Sequence, residues 1–231
     1  MYSLKLLAGL KTSFLDQSED SEESCRAQLL VNESLAGSCV LNAIEEELRS
    51  CSSFCITVAF VTMSGLTPLL QTLSELKQRG IPGRFLTTDY LTFTEPKALE
   101  KLREFDNIEV RMFCTSKADA SAQGFHTKGY IFQNGTQSRF IIGSSNLTGA
   151  ALKTNHEWNV KLIAAEKGEM AQCVRAEFEN LWSSPLTLPI RDAIEDYQQA
   201  YARQKQLRHD LAADVAPIAD SQRITPNGMQ K

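Results

Sequence analysis

The chain has 231 residues, of which 42% are hydrophobic and 23% charged, a balance that supports a sizeable buried core and excludes a disordered or fibrous polymer. Its formal net charge of −4 excludes coating of nucleic acid by bulk electrostatics, so any such contact must be local. Six cysteines (Cys25, Cys39, Cys51, Cys55, Cys114, Cys173) include no CxxC pair and no spacing with histidine that suits zinc, which points to buried thiols in a reducing, cytoplasmic setting.

Residues 1–10 are apolar in part but too short to span a membrane, and they lack a secretory cleavage pattern. The acidic, serine-rich stretch at 16–23 has almost nothing to bury and reads as a solvated loop. Residues 42–49 have a helical pattern, and 54–61 (FCITVAFV) form a β-branched and aromatic run of strand length. Over 65–79 the leucines Leu66, Leu69, Leu70, Leu73 and Leu76 recur at helical spacing until Gly80 stops them. A strand over 83–88, a helix over 95–105 with Pro96 in its first turn, and a strand over 108–113 follow.

This βαβαβ alternation predicts an α/β fold with a mixed, mostly parallel sheet flanked by helices. A polar loop over 115–124, with Lys117 as either a phosphate contact or a solvated surface lysine, precedes strands over 126–132 and 138–142 on either side of the Asn134-Gly135 turn signal. A strand over 158–163 and a helix over 166–182 come next. Over 191–213 the pattern is helical again, with Ile194, Tyr197, Tyr201 and Leu211 on one face, consistent with either a packed helix or a spacer. The chain thus divides into a domain over 1–185, a helical spacer over 186–214 and a linker over 215–231.

The chemistry concentrates in FHTKGYIF, RFIIGSSNLTGAAL and NHEWNV. Side chains at i and i+2 of a strand share a face, so His126 and Lys128 project together and place a nucleophile beside a cation. Gly143, Ser144 and Ser145 form a small-residue turn that lets a phosphate approach the backbone, and Asn146 can donate its amide to a phosphate oxygen. Asp89, Tyr90, Thr92 and Thr94 follow a strand end, where α/β sheets bind ligands, and either line a substrate groove or form an ordinary loop. His156 and His209 read as a neighbour of Glu157 and a solvated helix residue.

The His126-Thr-Lys128 and Gly143-Ser-Ser-Asn146 elements resemble the signature of the phospholipase D superfamily. Its more familiar members carry an aspartate where this chain has Gln133, and their two elements lie closer together. A second branch, found in a metal-independent restriction endonuclease and at the N-terminus of bacterial superfamily 2 helicases, uses a later glutamate, and Glu157 resembles that residue. The likeness runs over 54–182 and includes FVTMSGL and FLTTDYLTFTEPKAL. It implies a phospholipase-D-like fold and a phosphodiesterase that needs neither cofactor nor metal. His126 would attack phosphorus, Glu157 would orient and stabilise the imidazole, and Lys128 and Asn146 would neutralise the non-bridging oxygens.

Superfamily enzymes use two His-Lys elements, and one copy here implies a homodimer that supplies the second. The last residues, RITPNGMQK, resemble the segment ahead of a helicase motor, with Pro226 and Gln230 at its characteristic positions. Three functions are carried forward: a DNA phosphodiesterase linked to a helicase, a catalytically idle DNA-binding or dimerisation module, and a lipid phosphodiesterase. Against the last stand Gln133 and the lack of a basic amphipathic membrane helix.

Overall fold

The computed structural model describes residues 27–33, 39–117 and 124–221, with side chains as far as Leu211. Residues 16–23, Cys25, residues 118–123 of the polar loop and the tail with Pro226 and Gln230 lie outside the described residues. Among the described residues, eight strands form one sheet in the order β1 (Gln28–Leu30), β7 (Asn159–Ala165), β6 (Gln137–Gly143), β5 (Lys128–Asn134), β2 (Ser53–Val58), β3 (Gly83–Thr88), β4 (Ile108–Phe113) and β8 (Thr187–Pro189). The helices are α1 (Val40–Ser50), α2 (Met63–Leu66), α3 (Leu70–Gln78), α4 (Pro96–Arg103), α5 (Gly149–Lys153), α6 (Glu169–Trp182) and α7 (Ile190–Ser221).

The α/β class and the helix-flanked sheet stand, but most strand pairs are antiparallel. Only β2–β3 and β3–β4 are parallel; the other pairings, from β1–β7 to β4–β8, run antiparallel. The reason is connection length. The stretches between β2, β3 and β4 carry helices long enough for a crossover, whereas the two-residue Gly135-Thr136 turn between β5 and β6 can only return the chain antiparallel. Gly135 takes the positive φ of 57° that this turn requires.

Alternation along the strands sends side chains to two cores. Phe54, Ile56, Phe85, Tyr130 and Phe132 pack beneath α1, α3, α4 and the start of α7. Leu86, Ile131 and Phe140 face the opposite way, onto Phe178 and Trp182 of α6. In α1, Val40, Leu41, Ile44 and Leu48 form the buried stripe. On the same face, buried Glu47 pairs with Lys161 of β7 at 2.7 Å and Arg139 of β6 at 3.4 Å, tying the helix to the sheet. Burial pushes the thiols of Cys51, Cys55 and Cys114 up to about 11.

The chain packs across the expected boundary after 185. Strand β8 completes the sheet edge against β4, and Ile190, Ala193, Ile194 and Tyr197 at the start of α7 lie in the first core. The Tyr197 hydroxyl donates to the Thr94 carbonyl at 2.6 Å. The helix then continues to Ser221, through the start of the expected linker. No described helix is long and apolar enough to cross a membrane.

Candidate active site

The candidate side chains His126, Lys128, Asn146 and Glu157 lie at the end of the sheet where β2, β3 and β6 end and β5 and β7 begin. The antiparallel register sets Val58 opposite Lys128 and Gly143 opposite Asn159. His126 lies two residues before β5 rather than within it, and its ring is exposed. The Lys128 Nζ sits 2.7 Å from His126 Nδ1 and 3.1 Å from Nε2, and donates to the His126 carbonyl at 2.8 Å. The ammonium is thereby held against the imidazole ring. Burial lowers the Lys128 pKa from its ordinary value, and the charge of Glu157 partly restores it.

Asn146 comes to the same end of the sheet because residues 60–66 and 143–149 interlock. Leu147 donates to the Phe60 carbonyl at 3.1 Å, and Thr62 donates to the Leu147 carbonyl at 3.0 Å. The Phe60 N–H donates to Asn146 Oδ1 at 3.0 Å. That bond fixes the amide, turning Nδ2 away as a donor with no partner among the described residues. A Cβ on Gly65 would lie 2.2 Å from the Leu147 carbonyl oxygen, so the close approach needs glycine there.

Two expected roles change. Ser145 is buried, donates its N–H to Asn159 Oδ1 at 3.2 Å and accepts from Asn159 Nδ2 at 2.9 Å, so it holds the turn rather than touching substrate. Tyr130 adds a bond from its hydroxyl to the Ser145 carbonyl at 3.0 Å, with burial raising its pKa above the ordinary range. Ser144 is exposed, but its hydroxyl donates to Glu157 Oε2 and accepts from the Trp158 N–H at 3.1 Å. Glu157 therefore takes its hydrogen bond from Ser144 and, among the described contacts, makes none to His126. The two residues face each other where β6 meets β7, while His126 lies one strand further across the sheet.

Asp89 is likewise a structural residue. Its carboxylate accepts from the N–H and hydroxyl of Thr115, both at 2.6 Å, and from the N–H and hydroxyl of Ser116 at 3.1 and 2.6 Å. Those bonds cap the turn carrying Lys117 and leave little capacity for a ligand. Tyr90 and Thr92 lie in a turn whose Phe93 meets Phe60 at 5.1 Å between ring centroids; Phe60 in turn meets His126 at 6.1 Å. Thr94 is buried, donating to the Ala59 carbonyl at 3.3 Å and accepting from the Val61 N–H at 3.3 Å.

Gln133 lies at the far end of β5, where its amide joins Ser138 at 2.9 Å and Arg175. Position 133 is remote from Lys128, so the missing aspartate takes nothing from the site. His156 and His209 are exposed, His209 standing 3.6 Å from the Asp210 carboxylate. Among the described residues no three His, Cys, Asp or Glu side chains cluster as metal ligands. Sequence reasoning passed over Asn159, Tyr130 and Phe60. Asn159 was visible as a polar residue opening an apolar strand two places after Glu157, but nothing local marked the other two.

A groove of about 450 Å³ opens from His126 and Lys128 between the sheet and α6, lined by Ile142, Val174, Phe178 and Leu181. The family described as cardiolipin synthase, phospholipase-D-like domain, matches residues 44–182. The chain belongs to the phospholipase-D-like family. Among solved structures, NucT from Helicobacter pylori is 17% identical at a TM-score of 0.53, covering 69% of this chain and 96% of that one. Phosphatidylserine synthase from Haemophilus influenzae is 13% identical at a TM-score of 0.52, covering 81% of this chain and 47% of that one. Nuc, a phospholipase D family member from Salmonella typhimurium, is 19% identical at a TM-score of 0.49, covering 68% of this chain and 95% of that one. No curated protein matches the sequence. The phospholipase-D-like fold thus carries this chain's His-x-Lys pair and Asn146 to one end of the sheet.

Proposed function

We propose that this chain is a metal-independent phosphodiesterase that cleaves nucleic acid through a covalent phosphohistidine, in a site shared by two copies of the chain. The observation that carries this reading is the Lys128 ammonium held 2.7 Å from the His126 ring, beside an Asn146 amide fixed to donate outward. An imidazole nitrogen of His126 attacks phosphorus and the bond to the leaving oxygen breaks. Lys128 and Asn146 neutralise charge on the non-bridging oxygens, and the second copy's histidine protonates the leaving oxygen. That histidine then takes a proton from water, whose oxygen attacks phosphorus and frees His126. Glu157 keeps Lys128 protonated against its burial and, through Ser144, braces the turn that bears Asn146.

The family membership supports the reaction class, and a phosphatidylserine synthase chain about half covered by this one suits a site built from two such units. The resemblance of residues 223–231 to the approach to a helicase motor makes this unit, in the same reading, the cytoplasmic nuclease part of a helicase-nuclease. A lipid phosphodiester is the second reading, favoured by the apolar groove beside His126. Purified wild type and His126→Ala would be assayed with excess EDTA on single-stranded DNA, duplex DNA, bis(p-nitrophenyl) phosphate and phosphatidylcholine vesicles. Turnover of DNA by wild type alone is expected. Turnover of lipid without DNA selects the second reading, and activity in His126→Ala or its loss to EDTA removes the mechanism.

A further inference from the structure

The site edge continues past His126 into a row of aromatic side chains that the reaction does not use. Phe60, at the end of β2, meets His126 in a T-shaped arrangement at 6.1 Å and Phe93 at 5.1 Å. Phe93 is 44% exposed although the Arg208 guanidinium lies over its ring at 4.6 Å, and Tyr90 and Leu91 beside it are exposed as well. A soluble domain ordinarily hides such side chains or uses them.

The backbone that presents them is strained. Leu91 and Thr92 have successive φ values of 56° and 50°, in the left-handed region that costs energy for any side chain and most for a β-branched one. Arg208 on α7 holds this turn by donating to the Leu91 carbonyl at 3.1 Å, and Thr92 donates its N–H to the Asp89 carbonyl at 3.1 Å. Buried Thr94, the residue after Phe93, ties the turn to the segment after β2 through Ala59 and Val61. Three elements therefore cooperate to hold apolar side chains in solvent beside the proposed nucleophile.

We propose that Phe93, with Tyr90 and Arg208, forms a stacking shelf for an unpaired base next to the scissile phosphate, so that the strand cleaved at His126 is single-stranded there. This rests on the phosphodiesterase reading above and names its substrate class. An aromatic face and a guanidinium bind any base by stacking and attract the backbone by charge, whereas duplex bases already stack on one another. The local cation also meets the requirement that an acidic chain make its nucleic-acid contacts locally.

The test uses the full chain carrying His126→Ala, which leaves substrate uncleaved, and fluorescence anisotropy with a labelled 12-nucleotide single strand. The same strand with abasic residues and the same sequence as a duplex serve as comparisons. Base-bearing single strand should bind about tenfold more tightly than abasic strand or duplex. Adding Phe93→Ala should abolish that preference while abasic binding stays unchanged; Phe93→Leu, which keeps the turn apolar, should abolish it too. Equal affinity for base-bearing and abasic strands overturns the shelf. So does a Phe93→Ala variant that weakens both strands alike, as loosened α7 would, or that converts dimer to monomer, as a second copy covering the patch would. Base-dependent binding without turnover by wild type leaves the shelf and removes the hydrolase, and turnover without base dependence does the reverse.

Discussion

Asn159 clasps Ser145 from both sides, accepting its N–H at 3.2 Å and donating to its hydroxyl at 2.9 Å, with both residues buried. The turn that carries Asn146 therefore hangs on a side chain of the neighbouring strand. Asn159→Ala strands the Ser145 N–H in the interior, at a cost of about 1–3 kcal/mol for an unsatisfied buried group. Urea denaturation should show that loss, and turnover should fall at least tenfold as Asn146 drifts. An unchanged midpoint would remove Asn159 from this role.

Gly143 and Gly135 stand at opposite ends of β6 and separate stability from activity. A Cβ on Gly143 would lie 2.2 Å from the Trp158 carbonyl oxygen and 2.5 Å from Asn159 Oδ1, so Gly143→Ala must push the start of β7 aside. Overpacking of this kind costs about 1–3 kcal/mol, and here it displaces Glu157 and Asn159 together. Gly135 has open space but a positive φ, so Gly135→Ala should lower stability while kcat stays as in wild type. Equal kcat in the two variants would break the proposed link between Gly143 and the site.

With bis(p-nitrophenyl) phosphate, whose leaving group needs no general acid, the alkaline limb of the pH profile should belong to Lys128. Burial makes it lose its proton at lower pH than an ordinary lysine, and activity needs the ammonium, so kcat/KM should fall as pH rises through that lowered pKa. Glu157 acts the other way, favouring the charged form. Glu157→Gln should therefore move the alkaline limb to lower pH as well as reducing the rate. A limb that stays in place, or moves upward, contradicts the electrostatic role given to Glu157.

A site that needs a histidine from each copy responds to mixing in a distinctive way. Wild type and His126→Ala, refolded together in varying proportions, should show activity that follows the square of the wild-type fraction, because only dimers with two histidines turn over. A linear dependence means that each chain works alone.

Much of the fold was legible locally. The strands over 83–88 and 108–113 occur as expected, the second because alternating apolar residues bounded by turn residues have few alternatives. The strands β1 and β8 were not legible, since each is three residues long and exists only by pairing with β7 and β4. At the site, the two-residue spacing of His126 and Lys128 already implied a shared face, and their contact follows from it. The partners of Ser145 and Asp89 lie 14 and 26 residues away, beyond any local pattern.

By itself, the sequence determined the chemistry available: one His-x-Lys pair, one asparagine after a small-residue turn and one nearby glutamate, in an order that identifies the family. Tertiary structure alone decided which of these polar groups stay open at the candidate site and which are spent on the scaffold. Ser145 and Asp89 have the right residue types for a site, yet all their strong acceptors and donors are satisfied internally. The physical reason is that a buried polar group must find partners wherever the fold supplies them. Spacing along the chain is silent about whether those partners are a substrate or another strand.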